Sequence, residues 1–352
     1  MLPAPIEAKW VACFRRAFAL CGIGEGTLVA ILSETLSRTS NVSLAELALL
    51  ALGAHVFHVR MPTPPQTAPV PVRSTGASEA LQRNPAAVAA LKAVEIVIDC
   101  TVEGLLHAPE TPEILASGAR IFMVSNEHPE ILERLMPDPD LQPRVATALG
   151  LLHGARRMRV TSAAGTDLAI DVTGAPVRGN AGYLDPASKV AYWPGGLCLC
   201  FPKRGSVNGT LVLAPGDVNL TFKRYLERPV RLTVERDYVT AIEGDGLDAE
   251  LMRSYIAAWG ERDAYAVSHV GWGMNPRARW DALALYDKAD VNGTELRAFA
   301  GNFLYSTGAN ETAGRFTRGH FDLALRNCTI TLDERVIVER GVLLPPLCVE
   351  KE

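Results

Sequence analysis

Ala86-Ala87-Val88-Ala89-Ala90-Leu91-Lys92-Ala93, followed at once by Glu95-Ile96-Val97-Ile98-Asp99-Cys100, decides the architecture of the first half of the chain. The first run is an apolar helix and the second a short apolar strand. The same pair recurs at once as Pro112–Ser117 and Arg120–Ser125. Strands that are apolar throughout are buried on both faces, and short strands alternating with helices build a parallel sheet with helices on either side. Upstream, Pro5 to Leu20 carries Ile6, Trp10, Val11, Phe14, Ala17 and Phe18 at helical spacing. Thr27–Leu32 and Val56–Val59 read as strands, Leu44–Leu52 as a helix, and the Pro-rich stretch Pro62 to Pro71 as a loop. Downstream come the helices Pro129–Leu135 and Leu141–His153. Gly22-x-Gly24-x-Gly26 precedes a strand instead of following one, so it reads as a helix end and turn, not a dinucleotide fingerprint.

After Arg156 the pattern changes to short strands with period-two alternation: Met158–Thr161, Asp167–Val172, Leu197–Phe201, Thr210–Leu213, Val230–Glu235 and Val239–Glu243. Glu235-Arg236-Asp237-Tyr238 reads as a hairpin turn, and one helix, Asp248–Trp259, interrupts before strands resume at Ala264–Val270, Phe299–Ser306, Phe321–Leu325 and Ile330–Leu332. The predicted fold is α/β plus mainly β: an N-terminal open parallel α/β sheet domain over residues 1–155 and a C-terminal antiparallel β-rich metal-binding domain over 156–352.

Among 352 residues, 48% hydrophobic and 21% charged content provides for a large core. A net charge of -4 argues against nucleic acid or an anionic membrane as partner. No apolar run reaches the roughly 18–20 residues of a membrane span, and no signal peptide is legible. Seven scattered cysteines suit reduced thiols in the cytoplasm.

Gly319-His320-Phe321-Asp322-Leu323 is the sharpest chemical signal. His and Asp two residues apart on a strand share a face, with Cα atoms about 6.6 Å apart, and both reach one ion at bond lengths of ~2.0–2.2 Å. The spacing equally suits a hydrogen-bonded His–Asp pair. In Ser268-His269-Val270-Gly271-Trp272-Gly273 a histidine sits in an apolar strand, either as a structural residue or as a third ligand. Two imidazoles and one carboxylate leave open positions on one face of an ion, as mononuclear non-haem Fe(II) oxygenases require. His107 follows a predicted parallel strand at the end where such sheets place ligands; it is an acid/base candidate or a loop histidine. Tyr192-Trp193-Pro194-Gly195-Gly196 suits a loop that stacks on a flat ligand. Cys198 and Cys200 lack partners for a metal site and read as core thiols.

Three runs carry a family resemblance: Ser268 through Trp280, Arg297-Ala298-Phe299-Ala300-Gly301-Asn302-Phe303-Leu304-Tyr305-Ser306-Thr307-Gly308, and Leu325-Arg326-Asn327-Cys328. They resemble bacterial 2,5-dihydroxypyridine 5,6-dioxygenases, a family similar in structure to thermophilic aminopeptidase-type metallopeptidases. The resemblance implies His269, His320 and Asp322 as Fe(II) ligands, His107 and Tyr192 as catalytic groups, and Leu106, Ser306 and Asn180 as substrate-binding residues. Relative to the peptidases, Leu197 and His269 stand where glutamates are expected, so two close dications lack the acidic ligands to hold them. Relative to the pyridine dioxygenases, Tyr192 replaces a histidine and Asn180 a nearby glutamate. The implied activity is extradiol-type opening of a hydroxylated N-heteroaromatic ring, 2,5-dihydroxypyridine to N-formylmaleamate. The rivals are a mononuclear metal hydrolase or deaminase, and a non-catalytic binding protein. A small aromatic substrate and O2 are the expected partners, with no nucleic acid and no membrane, in a cytoplasmic homo-oligomer.

Overall fold

The computed structural model describes residues 6–70 and 77–348. Pro5 and Pro71, the outer ends of the predicted first helix and of the Pro-rich loop, fall outside them. Helix α1 (Ala8–Leu20) buries Trp10, Cys13, Phe14, Ala17 and Phe18, one stripe at helical spacing. It ends as the predicted turn. Gly22, at φ 79°, donates to the Ala19 carbonyl, and Ile23 donates to that of Phe18, the double bond of a left-handed glycine cap.

The chain then alternates: β1 (Leu28–Glu34), α2 (Thr39–Leu50), β2 (His55–Met61), α3 (Pro85–Lys92), β3 (Ile96–Asp99), α4 (Thr111–Ala116), β4 (Arg120–Val124), α5 (Pro129–Arg134) and α6 (Leu141–Gly154). Helix α3 starts as its sequence directs, with Asn84 capping the Ala87 amide and Pro85 in the first turn. In β3 and most of β1 every residue is buried, because helices cover both faces of the sheet. The sheet is parallel, with β1 between β2 and β3, followed by β4. The chain leaves β1 for β2 on one side and returns to β3 on the other. The carboxyl ends of β1 and β3 therefore flank a switch point, where open α/β sheets bind ligands.

Ten of the remaining strands need naming for the site: β5 (Arg157–Thr161), β6 (Asp167–Asp171), β7 (Val177–Asn180), β8 (Val190–Trp193), β9 (Leu197–Cys200), β10 (Val207–Leu213), β11 (Val218–Asn219), β12 (Arg224–Tyr225), β13 (Val230–Glu235) and β14 (Tyr238–Glu243). Helix α7 (Leu247–Ala258), β15 (Val267–Gly273), α8 (Ala282–Leu285), α9 (Thr294–Ala298), β16 (Phe303–Asn310), β17 (Arg315–Leu325), β18 (Thr329–Leu332), β19 (Arg335–Glu339) and β20 (Val342–Leu343) complete the chain. Apart from β8, these strands form two antiparallel sheets, one ordered β14-β13-β10-β6-β5-β18-β19-β20 and the other β12-β11-β17-β16-β15-β9-β7. The predicted hairpin turn is present, with Arg236 and Asp237 both at positive φ as a tight two-residue turn requires.

Two elements lie across the expected boundary at 155/156. Helix α6, before it, buries Leu141, Val145, Ala148 and Leu152 in the core of the antiparallel sheets. Strand β8, after it, pairs in parallel with β4 and becomes the edge of the first sheet. Among the described residues no helix is long and apolar enough to cross a membrane.

The seven-stranded sheet has two distinct faces. Cys198, Cys200, Val270, Trp272, Phe303, Tyr305, Phe321, Leu323 and Leu325 point into the core shared with the other antiparallel sheet. The alternate residues, among them Leu197, Leu199, His269, Leu304, His320 and Asp322, face the carboxyl ends of the parallel strands.

Candidate metal centre and active site

The strand registers bring the ligand candidates together. Ser306 of β16 stands opposite Asp322 of β17, and Gly308 opposite His320. On the other side of β16, Gly271 of β15 pairs with Leu304, and period-two alternation puts His269 on that same face. A bulge between Val267 and Val270 sets Ser268 and His269 against the single residue Ser306. His269, Ser306 and Asp322 thus form one row across three strands, with His320 beside it.

Nε2 of His320 lies 3.1 Å, and Nε2 of His269 3.8 Å, from Oδ1 of Asp322. One ligand atom from each of the three residues falls within 4.8 Å of the others, the one such group of His, Cys, Asp or Glu among the described residues. The other carboxylate oxygen is held by Arg297 of α9: its Nε donates to Oδ2 at 2.8 Å, and its Nη2 donates to the same atom. Ser306 Oγ donates to Oδ1.

The protonation states suit a divalent cation. Burial pushes the Asp322 carboxyl up, but Arg297 and the His320 and His269 imidazoles outweigh it and hold it well below the usual range. Burial lowers His269 to about 3, despite the opposing pull of Asp322. Metal ligands must be an ionised carboxylate and neutral imidazoles, and Asp322 and His269 are held in those forms. Nδ1 of His269, the ring nitrogen turned away from Asp322, is buried without a hydrogen-bond partner. Two nitrogens and one oxygen, with no thiolate near, fit a first-row divalent ion with open positions.

Facing the triad is a pocket of about 100 Å³. Its far wall comes from the ends of the parallel strands: Asp99 of β3, the loop residues Thr101 to Gly104 with Leu106 and His107, and Met123 to Ser125 at the end of β4. Tyr192 of β8, Leu197 and Leu199 of β9, and Asn292, Thr294 and Arg297 around α9 close it. This is well under the ~300–1,000 Å³ of drug-sized sites, so it suits a ligand of roughly one ring. His107 and His320 also line an outer pocket of about 290 Å³, walled by the Pro64–Ala68 loop and Phe316 to Gly319. Burial, with the His320 imidazole nearby, lowers His107 to about 4, so its ring is neutral at pH 7. Phe201 stands edge-on to both His107 and His269, at 6.3 Å and 5.8 Å between ring centres.

Of the residues singled out from sequence, His107, Leu106, Tyr192, His269, His320 and Asp322 meet at this pocket. Two do not line it. Ser306, expected at the pocket wall, is fully buried behind Asp322 and spends its hydroxyl on that carboxylate. Asn180 lies behind Tyr192: its Oδ1 accepts from the Gly182 amide at 2.7 Å, and its side chain sits by the Tyr192 hydroxyl. Burial pushes that phenol above its ordinary value, so it stays protonated at neutral pH. Arg297 opens one of the runs that carry the resemblance but was given no role from sequence; its role emerges only from the fold. So do Thr294, whose Oγ1 is 2.8 Å from Ser125 Oγ, and Glu127, whose carboxylate accepts from the Asn292, Gly293 and Thr294 amides at 2.6–3.0 Å. Cys198 and Cys200 are core thiols whose pKa values burial raises.

The family model for 2,5-dihydroxypyridine 5,6-dioxygenase matches residues 9–345. A 2,5-dihydroxypyridine 5,6-dioxygenase of Pseudomonas putida KT2440 is 37% identical over 344 residues, 97% of each chain. The solved structure of 2,5-dihydroxypyridine dioxygenase from that organism superposes with a TM-score of 0.91 at 36% identity, covering 97% of this chain and 99% of that one. Wild-type AmpT from Thermus thermophilus, an aminopeptidase-type fold, gives a TM-score of 0.65 at 12% identity over 96% and 99% of the two chains, a likeness of fold alone. By sequence along nearly its whole length, the chain belongs to the 2,5-dihydroxypyridine 5,6-dioxygenase family.

Proposed function

We propose that this chain opens the ring of 2,5-dihydroxypyridine to N-formylmaleamate, using O2 and an Fe(II) ion held by His269, His320 and Asp322. The observation that carries the reading is the convergence of these three side chains on one wall of a ring-sized pocket whose opposite wall bears His107. Bound there, Fe(II) would supply the one-electron chemistry that lets O2 react with an aromatic ring. Both oxygen atoms end in the product, so no external reductant is consumed.

The chain's own residues would do the rest. The neutral imidazole of His107 accepts the proton of a substrate hydroxyl, a role its lowered pKa leaves open at neutral pH. The protonated hydroxyl of Tyr192 donates a hydrogen bond to a substrate oxygen. Leu106, Leu197, Leu199, Leu304 and Met123 give the ring apolar contact and keep water from it. Ser306 and Arg297 hold the Asp322 carboxylate, and Asn180 supports Tyr192 from behind. Free thiols at all seven cysteines fit a cytoplasmic setting.

The test is anaerobic reconstitution with Fe(II), followed by addition of 2,5-dihydroxypyridine in aerated buffer. One O2 taken up per ring lost is the expected result. Ring loss without O2 uptake would identify a hydrolase instead. Retained iron with no turnover of any dihydroxypyridine would point to a binding protein.

A further inference from the structure

Asp99 is the last residue of the central strand β3, at the switch point of the parallel sheet, and it is almost fully buried. A carboxylate there is costly, and burial pushes its pKa up to about 6, with Glu34 adding to the shift and hydrogen bonds opposing it. All its resolved partners lie on one short stretch of chain. Oδ1 accepts from the Thr101 amide at 2.9 Å and from the Thr101 hydroxyl at 2.7 Å. Oδ2 accepts from the Leu105 amide at 2.7 Å. Thr101 Oγ1 in turn accepts from the Gly104 amide at 3.1 Å. Leu105 then binds the next turn through its carbonyl, which accepts from the Ala108 amide and the Thr111 hydroxyl. His107 lies inside that closed turn, two residues beyond Leu105.

We propose that Asp99 is a positioning residue: it fixes the loop from Thr101 to Ala108 and so sets where His107 stands relative to the substrate and the triad. This rests on the reading that His107 acts on the substrate. Gly104 closes the turn at φ 80°, a backbone conformation that L side chains rarely adopt, with the end of the Met123 side chain against it. An ionised carboxylate can take all three donors, whereas an amide offers one oxygen and two N–H groups. Asn at position 99 must therefore leave either the Thr101 or the Leu105 amide facing another donor.

The experiment compares Asp99→Asn, His107→Ala and the double variant as Fe(II)-loaded full chains, with iron content, O2 uptake and 2,5-dihydroxypyridine loss as readouts. A catalytic group misplaced by an ångström costs ~10²-fold, so Asp99→Asn is expected to lower kcat by about that factor. Iron content should not change, because the triad sits on another sheet. In the His107→Ala background the same change should cost less than about 3-fold, since groups acting through one another are not additive. An equal loss in both backgrounds, or iron lost with activity, overturns the proposal. Thr101→Val, which removes the hydroxyl donor to Asp99 and the acceptor of the Gly104 amide but keeps the carboxylate, guards against an unfolded Asp99→Asn and should cost at least ~2- to 13-fold, the worth of one hydrogen bond, in the wild-type background alone. Amide hydrogen exchange across residues 101–108 gives a readout free of the activity. Faster exchange confined to this loop in either variant supports the anchor, and unchanged exchange in both refutes it. Wild-type protein that takes up no O2 with the dihydroxypyridine would refute the functional reading, while the exchange measurement would still decide the anchor.

Discussion

The two walls of the pocket are built by different rules. The triad stands on neighbouring strands of an antiparallel sheet, where backbone ladders fix every Cα and each donor's position follows from its register. The opposite wall comes from a loop and strand ends of a parallel sheet, where the loop that carries His107 is tied to the sheet by a few hydrogen bonds to the Asp99 side chain. Ion coordination tolerates errors of only ~0.2 Å, and the ladder supplies that rigidity. Loops on a fixed scaffold are the part of a fold that changes at low cost.

If that division is right, damage to one wall should leave the other working. The largest effect is expected from His269→Ala, His320→Ala or Asp322→Ala: each should lose bound iron and turnover together, measured by metal analysis and O2 uptake. Full iron in all three variants would break the comparison outright. His107→Ala should keep its iron yet lose ~10²–10⁴-fold in kcat/KM, as removal of a general acid/base does. Arg297→Gln sharpens the boundary, because Arg297 comes from α9 but serves Asp322. It should weaken metal affinity by ~10- to 100-fold, as loss of an outer-shell partner does, and an unchanged affinity would move Arg297 to the substrate side. Tyr192→Phe should cost only ~2- to 13-fold, the worth of one hydrogen bond, with an unaltered pH profile. A loss as large as that of His107→Ala would show that Tyr192 carries a proton.

The smallest effect concerns acid stability of the metal-free protein. Folding lowers His107 to about 4 and His269 to about 3, from ordinary values near 6.5. Between pH 6.5 and those values the unfolded chain binds protons that the folded chain refuses, so stability falls as pH drops through that window. Melting midpoints taken in chelator should decline from pH 6.5 to 4, and less steeply in His107→Gln. An identical slope in the variant would show that His107 is not buried neutral.

The sequence made some of this legible. His320 and Asp322 share a face because strands have a period of two, and that rule needs no partner strand. The alternation around Glu95–Cys100 gave the parallel sheet for a similarly local reason. Strand β8 was hidden: four residues, Val190 to Trp193, set between turn signals and pairing with a strand 69 positions earlier. Helix α6 is amphipathic, and amphipathicity says that a face is buried but not against which sheet. Ser306 was placed at the pocket by resemblance, whereas its register opposite Asp322 gives its hydroxyl to the carboxylate. Arg297 stands in a run that carries the resemblance, but its hold on Asp322 appears only when α9 is set beside β17.

The row from His269 through Ser306 to Asp322 exists in one register only. If β17 paired one residue out of step with β16, its histidine and aspartate would turn into the apolar core, and Phe321 would face the pocket in their place. Such a chain would have no site for the ion. A metal ion held there would therefore inspect assembly as well as serve chemistry. It would bind only copies whose strands have been threaded correctly, and by mass action would draw the population toward them.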